Sequence, residues 1–324
     1  TEEFFAEVEF PLLADVFAFR ELTVNLSTRH TDDEFYGGAW TYSGKLGWRP
    51  VDSLLIKGSV GTSYRAPNLR ENFLLGTSGF RGLFDPCVTP ESAIGLDPNN
   101  PGGFVYDPTG ETRTQTVLDN CVAQGVDPTV AQNNGFNTYS VESARGGSLT
   151  LDPEKSDSWS AGFSWDQPFT NAFGLSLGAT YYEIELRNTI IPPSAQFIVN
   201  DCYGSLTGNS AFCDRITRRA TDPDNPDTPF LDFIDSGFIN RDAQTARGLD
   251  INLAFDKTFT IFNRPVDFSI DIIANRTYEN SALFIDDQGN PDFDNFAGEW
   301  GFPEWQTQGY FRFDYDDFRF TWET

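Results

Sequence analysis

The sequence predicts an all-β protein: part of an antiparallel transmembrane β-barrel, about ten strands of a larger one, with short periplasmic turns and long extracellular loops. Three observations predict it. First, residues 53–71 alternate, with Leu54, Ile56, Val60, Thr62 and Tyr64 on one face of an extended segment and Lys57, Ser59, Gly61, Ser63 and Arg65 on the other. That period of two marks a strand with one apolar face. Second, this strand has a tight turn at one end (Arg49-Pro50-Val51-Asp52) and a very long polar stretch at the other, an inequality that repeats along the chain and is the rule for outer-membrane barrels. Third, aromatic residues make up 15%, with 31 Phe and 7 Trp, which suits a barrel with aromatic girdles.

Taken in order, residues 3–11 alternate weakly, with Phe5, Val8 and Phe10 apolar, and 12–17 connect. Residues 19–29 form a second strand through Leu22, Val24 and Leu26, 30–38 a polar connection, and 40–48 the return. The strand at 54–64 opens a loop region at about 65–155, rich in Pro, Gly, Asn and Asp. The next strand, 156–166, sets Trp159, Ala161, Phe163 and Trp165 against Ser158, Ser160, Gly162 and Ser164. After a turn at 167–173 and a strand at 175–187 comes a second loop, about 188–236. Residues 237–255 return, 256–264 turn, and 266–278 go out with Phe268, Ile270, Ile272 and Ala274 opposite Asp267, Ser269, Asp271 and Asn275. A third loop, about 279–301, precedes a strand at 305–313, a turn, and a last strand beginning at Phe318. The polar faces (Asp250, Asn252, Asp267, Asp271, Lys57, Ser59, Arg319) would be costly against lipid and are cheap against a wet lumen. In a soluble sheet the same residues would simply face water.

The formal net charge of −26 excludes nucleic acid as a partner, since phosphate binding demands excess Lys and Arg. No apolar run reaches the roughly 20 residues of a helical span, and a mean hydropathy of −0.38 is compatible with a barrel, which hides its membrane signal by alternation. The chain starts at Thr1 and contains no methionine, which reads as part of a longer protein, so the missing targeting segment says nothing about location. All of residues 1–324 read as one barrel unit. Four cysteines allow three connectivities. Cys87–Cys121 with Cys202–Cys213 is expected, because each pair then closes within one loop. Loop disulfides imply an oxidising compartment, and a zinc site is disfavoured by the lack of Cys-x-x-Cys and the single His30.

Three stretches resemble one family. Residues 63–71, Ser-Tyr-Arg-Ala-Pro-Asn-Leu-Arg-Glu, resemble a strand-end motif of TonB-dependent outer-membrane receptors through Arg65, Ala66, Pro67, Asn68 and Glu71. Residues 151–165 resemble that family's Pro-Glu-Lys-Ser strand start through Pro153, Glu154 and Lys155, and 246–255 its Gly-x-acidic step through Gly248 and Asp250. The order and spacing match. The resemblance implies a plug inside a barrel of about 22 strands in the outer membrane of a Gram-negative bacterium, embedded in lipid and lipopolysaccharide. It further implies a small-molecule nutrient bound by loops and plug, and import energised by the TonB complex through the plug. Ferric siderophores are the default ligand, with cobalamin, haem and oligosaccharides as alternatives.

No catalytic signature is present: His30 has no nameable Ser or Cys partner and there is no Gly-x-Ser-x-Gly elbow. No enzyme activity and no cofactor are expected. Residues 222–227 and 286–294 are oxygen-rich but lack the closing Glu of a calcium loop, so they read as solvated acidic turns. The loop aromatics Phe80, Phe84, Phe104, Tyr106, Phe136, Tyr139, Phe197 and Tyr203 are candidates to line a ligand vestibule. Their alternative role is to form small cores beneath the disulfides. Arg215, Arg218 and Arg219 are the candidate basic groups for an anionic ligand. A passive porin or adhesin barrel and a secreted carbohydrate-binding β-protein are the competing function classes.

Overall fold

The computed structural model describes residues 1–131, 136–206, 208, 210–220, 229–285 and 291–324. In chain order its elements are β1 (Glu2–Val16), β2 (Phe19–Asp33), β3 (Gly37–Val51), β4 (Leu54–Arg65), α1 (Leu69–Phe73), β5 (Thr77–Phe84), β6 (Ile94–Leu96), β7 (Phe104–Tyr106), α2 (Gln115–Ala123) and β8 (Thr138–Arg145). There follow β9 (Glu154–Asp166), β10 (Gly174–Ile191), α3 (Ala195–Gly204), β11 (Ile216–Arg218), β12 (Leu231–Asp235), β13 (Ile239–Ile261), β14 (Arg264–Ile285), β15 (Pro291–Asn295), β16 (Trp305–Tyr315) and β17 (Phe318–Glu323). Among the described residues no helix is long and apolar enough to cross a membrane.

Ten of these strands form one antiparallel path, β1-β2-β3-β4-β9-β10-β13-β14-β16-β17, with β15 pairing beside it on β14. They are the ten strands expected from alternation. β1 and β17 are open edges, so the sheet is part of a barrel and not a closed one. Its register keeps the apolar positions on one face. Val8 pairs with Leu26, Leu26 with Gly44, Gly44 with Val60 and Val60 with Trp159. Farther along, Leu54, Trp165, Leu177, Leu253 and Ile272 form another such row. The opposite face carries Lys57, Gly162, Thr180, Asp250, Asn275 and Gln306 in register.

The apolar face covers no core. Phe4, Val8, Leu26, Val60, Trp159, Phe163 and Trp322 are exposed, and Leu54, Ile251 and Phe268 are only half-buried. Its aromatic rings gather in two belts. At the loop end Trp159 meets Tyr181 (5.1 Å between centroids), Tyr181 meets Tyr278 (6.1 Å), and the Arg276 guanidinium lies over Tyr278 and Trp305. At the turn end Phe173 meets Phe255 (5.8 Å) and Phe255 meets Phe268 (6.2 Å). From Phe268 to Tyr278 the strand climbs about 33 Å at about 3.3 Å per residue, or about 25 Å across a layer crossed at barrel tilt, the height of an outer-membrane apolar band.

Strand ends differ from the pattern-based expectation. β1 runs on to Val16, and β13 and β14 run to a two-residue turn at Phe262 and Asn263, where a connection at 256–264 was expected. Both turn residues have positive φ (48° and 59°), the backbone that lets a two-residue hairpin follow the strand twist. The third loop is shorter than expected, because β14 continues to Ile285 and pairs with β15. In β1 and β14 the added residues, Leu12-Leu13-Ala14 and Ala282-Leu283-Phe284-Ile285, are apolar on both faces, so alternation loses contrast while the hydrogen-bond ladder continues. His30, read as a loop residue, lies in β2, its ring 4.6 Å from that of Trp40.

A charge on the apolar face should therefore cost more than one on the polar face. Ile251→Lys is expected to destabilise the complete receptor in lipid by about 2–4 kcal/mol, while Asn252→Lys changes little. Denaturant titration in lipid vesicles checks both.

Candidate functional site

The family-like motifs meet at the loop end of the sheet. Arg65 ends β4 and stands across the register from Glu154, the first residue of β9. Pro67 cannot donate to a ladder and holds Ala66 extended, which ends the pairing. Asn68 then caps α1: its side chain accepts from the N–H groups of Arg70 (2.9 Å) and Glu71 (3.0 Å), while the Glu71 carboxylate accepts from the Asn68 N–H (2.8 Å). This capping box fixes Glu71 where Arg65 Nη1 (2.8 Å) and Nη2 (3.1 Å) donate to it. Arg65 Nε donates to Glu154, whose other oxygen accepts the Ile190 N–H at 2.7 Å. Burial works against the charge of Glu71, but Arg65 and the Asn68 N–H outweigh it and hold its carboxyl below the usual range. Pro153 leads into this clamp, and Lys155 lies across from Tyr64 on the other face.

The third motif sits on the polar face of the sheet. Gly248 pairs with Tyr182, and a Cβ at Gly248 would stand 2.7 Å from the Tyr182 hydroxyl and from the Arg276 carbonyl. Only glycine lets that phenol lie there. Asn275 then donates to Asp250 (2.7 Å) and to Tyr182 Oη (3.2 Å), joining three strands.

The two longest loops fold together as one domain. β11, β12, β8 and β5 form a four-stranded sheet in which β12 of the second loop runs parallel to β8 of the first. Its core, with Leu83, Val126, Val141, Ile198, Val199, Leu231 and Ile234 among its members, is the main cluster of buried apolar side chains. The disulfides Cys87–Cys121 and Cys202–Cys213 close it as expected. At its centre Asp85, fully buried, receives both Arg218 Nη1 (2.8 Å) and Nη2 (2.7 Å), and the Tyr139 hydroxyl at 2.6 Å. Arg218 Nε also donates to Tyr203 Oη (2.7 Å), and the guanidinium lies 5.0 Å from that ring. Burial and the neighbouring Asp85 push the Tyr139 phenol up, so it stays a donor.

The eight candidate aromatics do not share one cavity. Tyr203 is buried in the loop core, with Tyr139 and Phe197 packed against it. Phe197 also lines a cavity of about 690 Å³ with Asn200, Phe212, Arg215, Asn240 and Phe284. Tyr106 donates to Glu111 at 2.9 Å. Phe80, Phe84, Phe104 and Phe136 are exposed. The three arginines named from sequence are committed to carboxylates: Arg215 to Asp235, Arg218 to Asp85 and Arg219 to Asp232. No group of three or more metal-capable side chains gathers among the described residues. Residues 222–227 lie outside the described residues, as do 286–290 of the second acidic stretch, while 291–294 fall within β15.

Two outcomes follow. Arg218→Leu leaves the Asp85 carboxylate buried and unpaired, and should lower loop-domain stability by about 3–5 kcal/mol in denaturant titration with disulfides intact. Glu111, held by the Arg113 guanidinium and by N–H and phenol donors, has its carboxyl lowered to about 2. A depressed carboxyl contributes stability that is complete above its unfolded value, near 4.5, and is lost as pH falls through the folded value, near 2. Acid titration of Glu111→Gln should therefore show a smaller loss over that window than the parent.

The chain matches the family described as TonB dependent receptor-like, beta-barrel, over residues 1–324. No curated protein matches it significantly. Solved structures similar to it include the siderophore receptor PirA from Pseudomonas aeruginosa, at 12% identity and a TM-score of 0.43, covering 99% of this chain and 40% of that one. PirA from Acinetobacter baumannii is 11% identical with a TM-score of 0.42, covering 97% and 39%. The ferric enterobactin receptor PfeA from Pseudomonas aeruginosa, a mutant in complex with enterobactin, is 11% identical with a TM-score of 0.45, covering 97% and 37%. The chain thus spans about two-fifths of the length of these structures. Matched by the family over its whole length, with its three motifs joined at strand ends and on the polar face of the sheet, the chain belongs to the TonB-dependent receptor β-barrel family.

Proposed function

We propose that the receptor to which this barrel wall belongs binds a scarce small nutrient outside the cell and imports it with energy delivered by the TonB complex. The observation that supports this most is the loop domain. Two long loops share one sheet, one core and two disulfides at a single end of a sheet that has little core of its own. Ordering that much surface polypeptide costs conformational entropy, and a passive pore needs no such domain at its mouth. The polar face, with Lys57, Asp250, Asn275 and Gln306 in register, suits a hydrated plug in the lumen. The apolar face with its belts suits outer-membrane lipid, and Arg276 beside Tyr278 and Trp305 supports contact with lipopolysaccharide phosphate.

The test is uptake. Cells lacking the gene should fail to grow on one of a panel of iron chelates, haem, cobalamin or oligosaccharides as limiting nutrient, and cells lacking TonB should fail on the same compound. Growth that needs the gene but survives loss of TonB would replace active transport with a passive pore.

A further inference from the structure

We infer that the loop domain carries a binding site for a small, multiply charged oxyanion bearing carboxylate or phosphate groups, in the cleft between Arg70, Arg81 and Arg145. The inference rests on the receptor reading above and specifies its ligand class. The cleft measures about 390 Å³ and is also lined by Ser143, Ser194 and Ser236, a size within the range of small-molecule sites. It lies where α1, the β5–β8 edge and the start of α3 come together: Arg70 is in α1, Arg81 in β5, and Arg145 ends β8 opposite Thr77.

Two independent observations point to an anion as the ligand. The first concerns charge. In a chain of net charge −26, cations find carboxylates easily, and among the described residues every arginine but five has one within 4.0 Å. Two of the five, Arg241 and Arg276, lie elsewhere on β13 and β14. The other three are Arg70, Arg81 and Arg145, exposed residues that line this one cleft with no carboxylate among its lining residues. Three guanidinium groups lining one cleft make its potential positive, and their planar forks match carboxylate and phosphate oxygens two at a time. The second observation is Ser236. It is 7% exposed, its N–H donates to the Ala144 carbonyl at 2.8 Å, and its hydroxyl has no partner. A buried hydroxyl left unpaired is costly, and Ser236 is among the residues that line the cleft. The N-terminus of α3 opens on the same space, capped by Ser194, whose oxygen accepts from the Phe197 N–H. Its dipole adds positive potential.

The experiment is calorimetric titration of the complete detergent-solubilised receptor with citrate, ferric citrate, inorganic phosphate and a neutral trisaccharide. At least one anion should bind saturably and more weakly as salt rises, and the sugar should not bind. Arg81→Gln/Arg145→Gln should weaken that binding at least about tenfold, Ser236→Ala should weaken it less, and Arg219→Gln, an exposed ion-paired control on the same domain, should leave it unchanged. Citrate preferred over phosphate assigns a carboxylate ligand, and the reverse a phosphorylated one. Circular dichroism and closed disulfides establish that the variants fold. Failure of every anion to bind the parent at millimolar concentration, or equal affinity in the double variant, overturns the site. TonB-dependent uptake that is indifferent to the double variant also overturns the site but leaves the transport reading intact. Arginine-dependent anion binding with uptake that ignores TonB does the reverse.

Discussion

Register is the constraint on which this protein depends. A strand shifted by one residue would turn its whole apolar set to the opposite face, so ten strands must agree for the apolar belt to be continuous. The interruptions respect that demand. The pairing slips between Pro11 and Leu13 and between Trp48 and Val51, both toward strand ends, and between Arg247 and Gly248, inside β13 beside the loop-end aromatic belt. Between them the ladder is regular, and in hydrocarbon a regular ladder is what satisfies every backbone N–H and carbonyl.

The molecule is stabilised in two different ways. The sheet keeps Leu253, Ile272 and Trp165 in register without burying them in a protein interior, and its apolar surface gains by contact with lipid. The loop domain stands in water and needs a core of its own, closed by disulfides and by the buried Asp85–Arg218 pair. That pair spans 133 positions, so it ties the first long loop to the second. The Arg65 clamp then fixes this domain to the barrel rim, because Glu71 belongs to the loop side and Glu154 to the strand side of one guanidinium.

Charge is distributed by the same logic. Carboxylates outnumber cations by 26, and most arginines are drawn into pairs on the sheet and in the loops. An arginine cluster that escapes pairing is therefore informative in a way that one in a basic protein is not. Sequence inspection pointed to Arg215, Arg218 and Arg219 because they are close in the chain, but Asp235, Asp85 and Asp232 neutralise them. Arg70, Arg81 and Arg145 are scattered along the chain and converge only through the β5–β8 pairing and the position of α1.

The sequence by itself determined the ten-strand path, the apolar face, the unequal loops and the family, and favoured the disulfide partners among three connectivities, because each is carried by local periodicity, by spacing within one loop or by short motifs. It overstated the turn at 256–264 and the third loop, since the ladder runs to Ile261–Arg264 at one end and through the non-alternating Ala282-Leu283-Phe284-Ile285 at the other. Only the tertiary structure decided that the two long loops make one domain, that Tyr139 and Tyr203 serve its buried Asp85–Arg218 pair, and that three distant arginines share a cleft with the unpaired Ser236 hydroxyl. Those facts depend on contacts between residues far apart in the chain, where no periodicity reaches and only packing and charge compensation choose the partner.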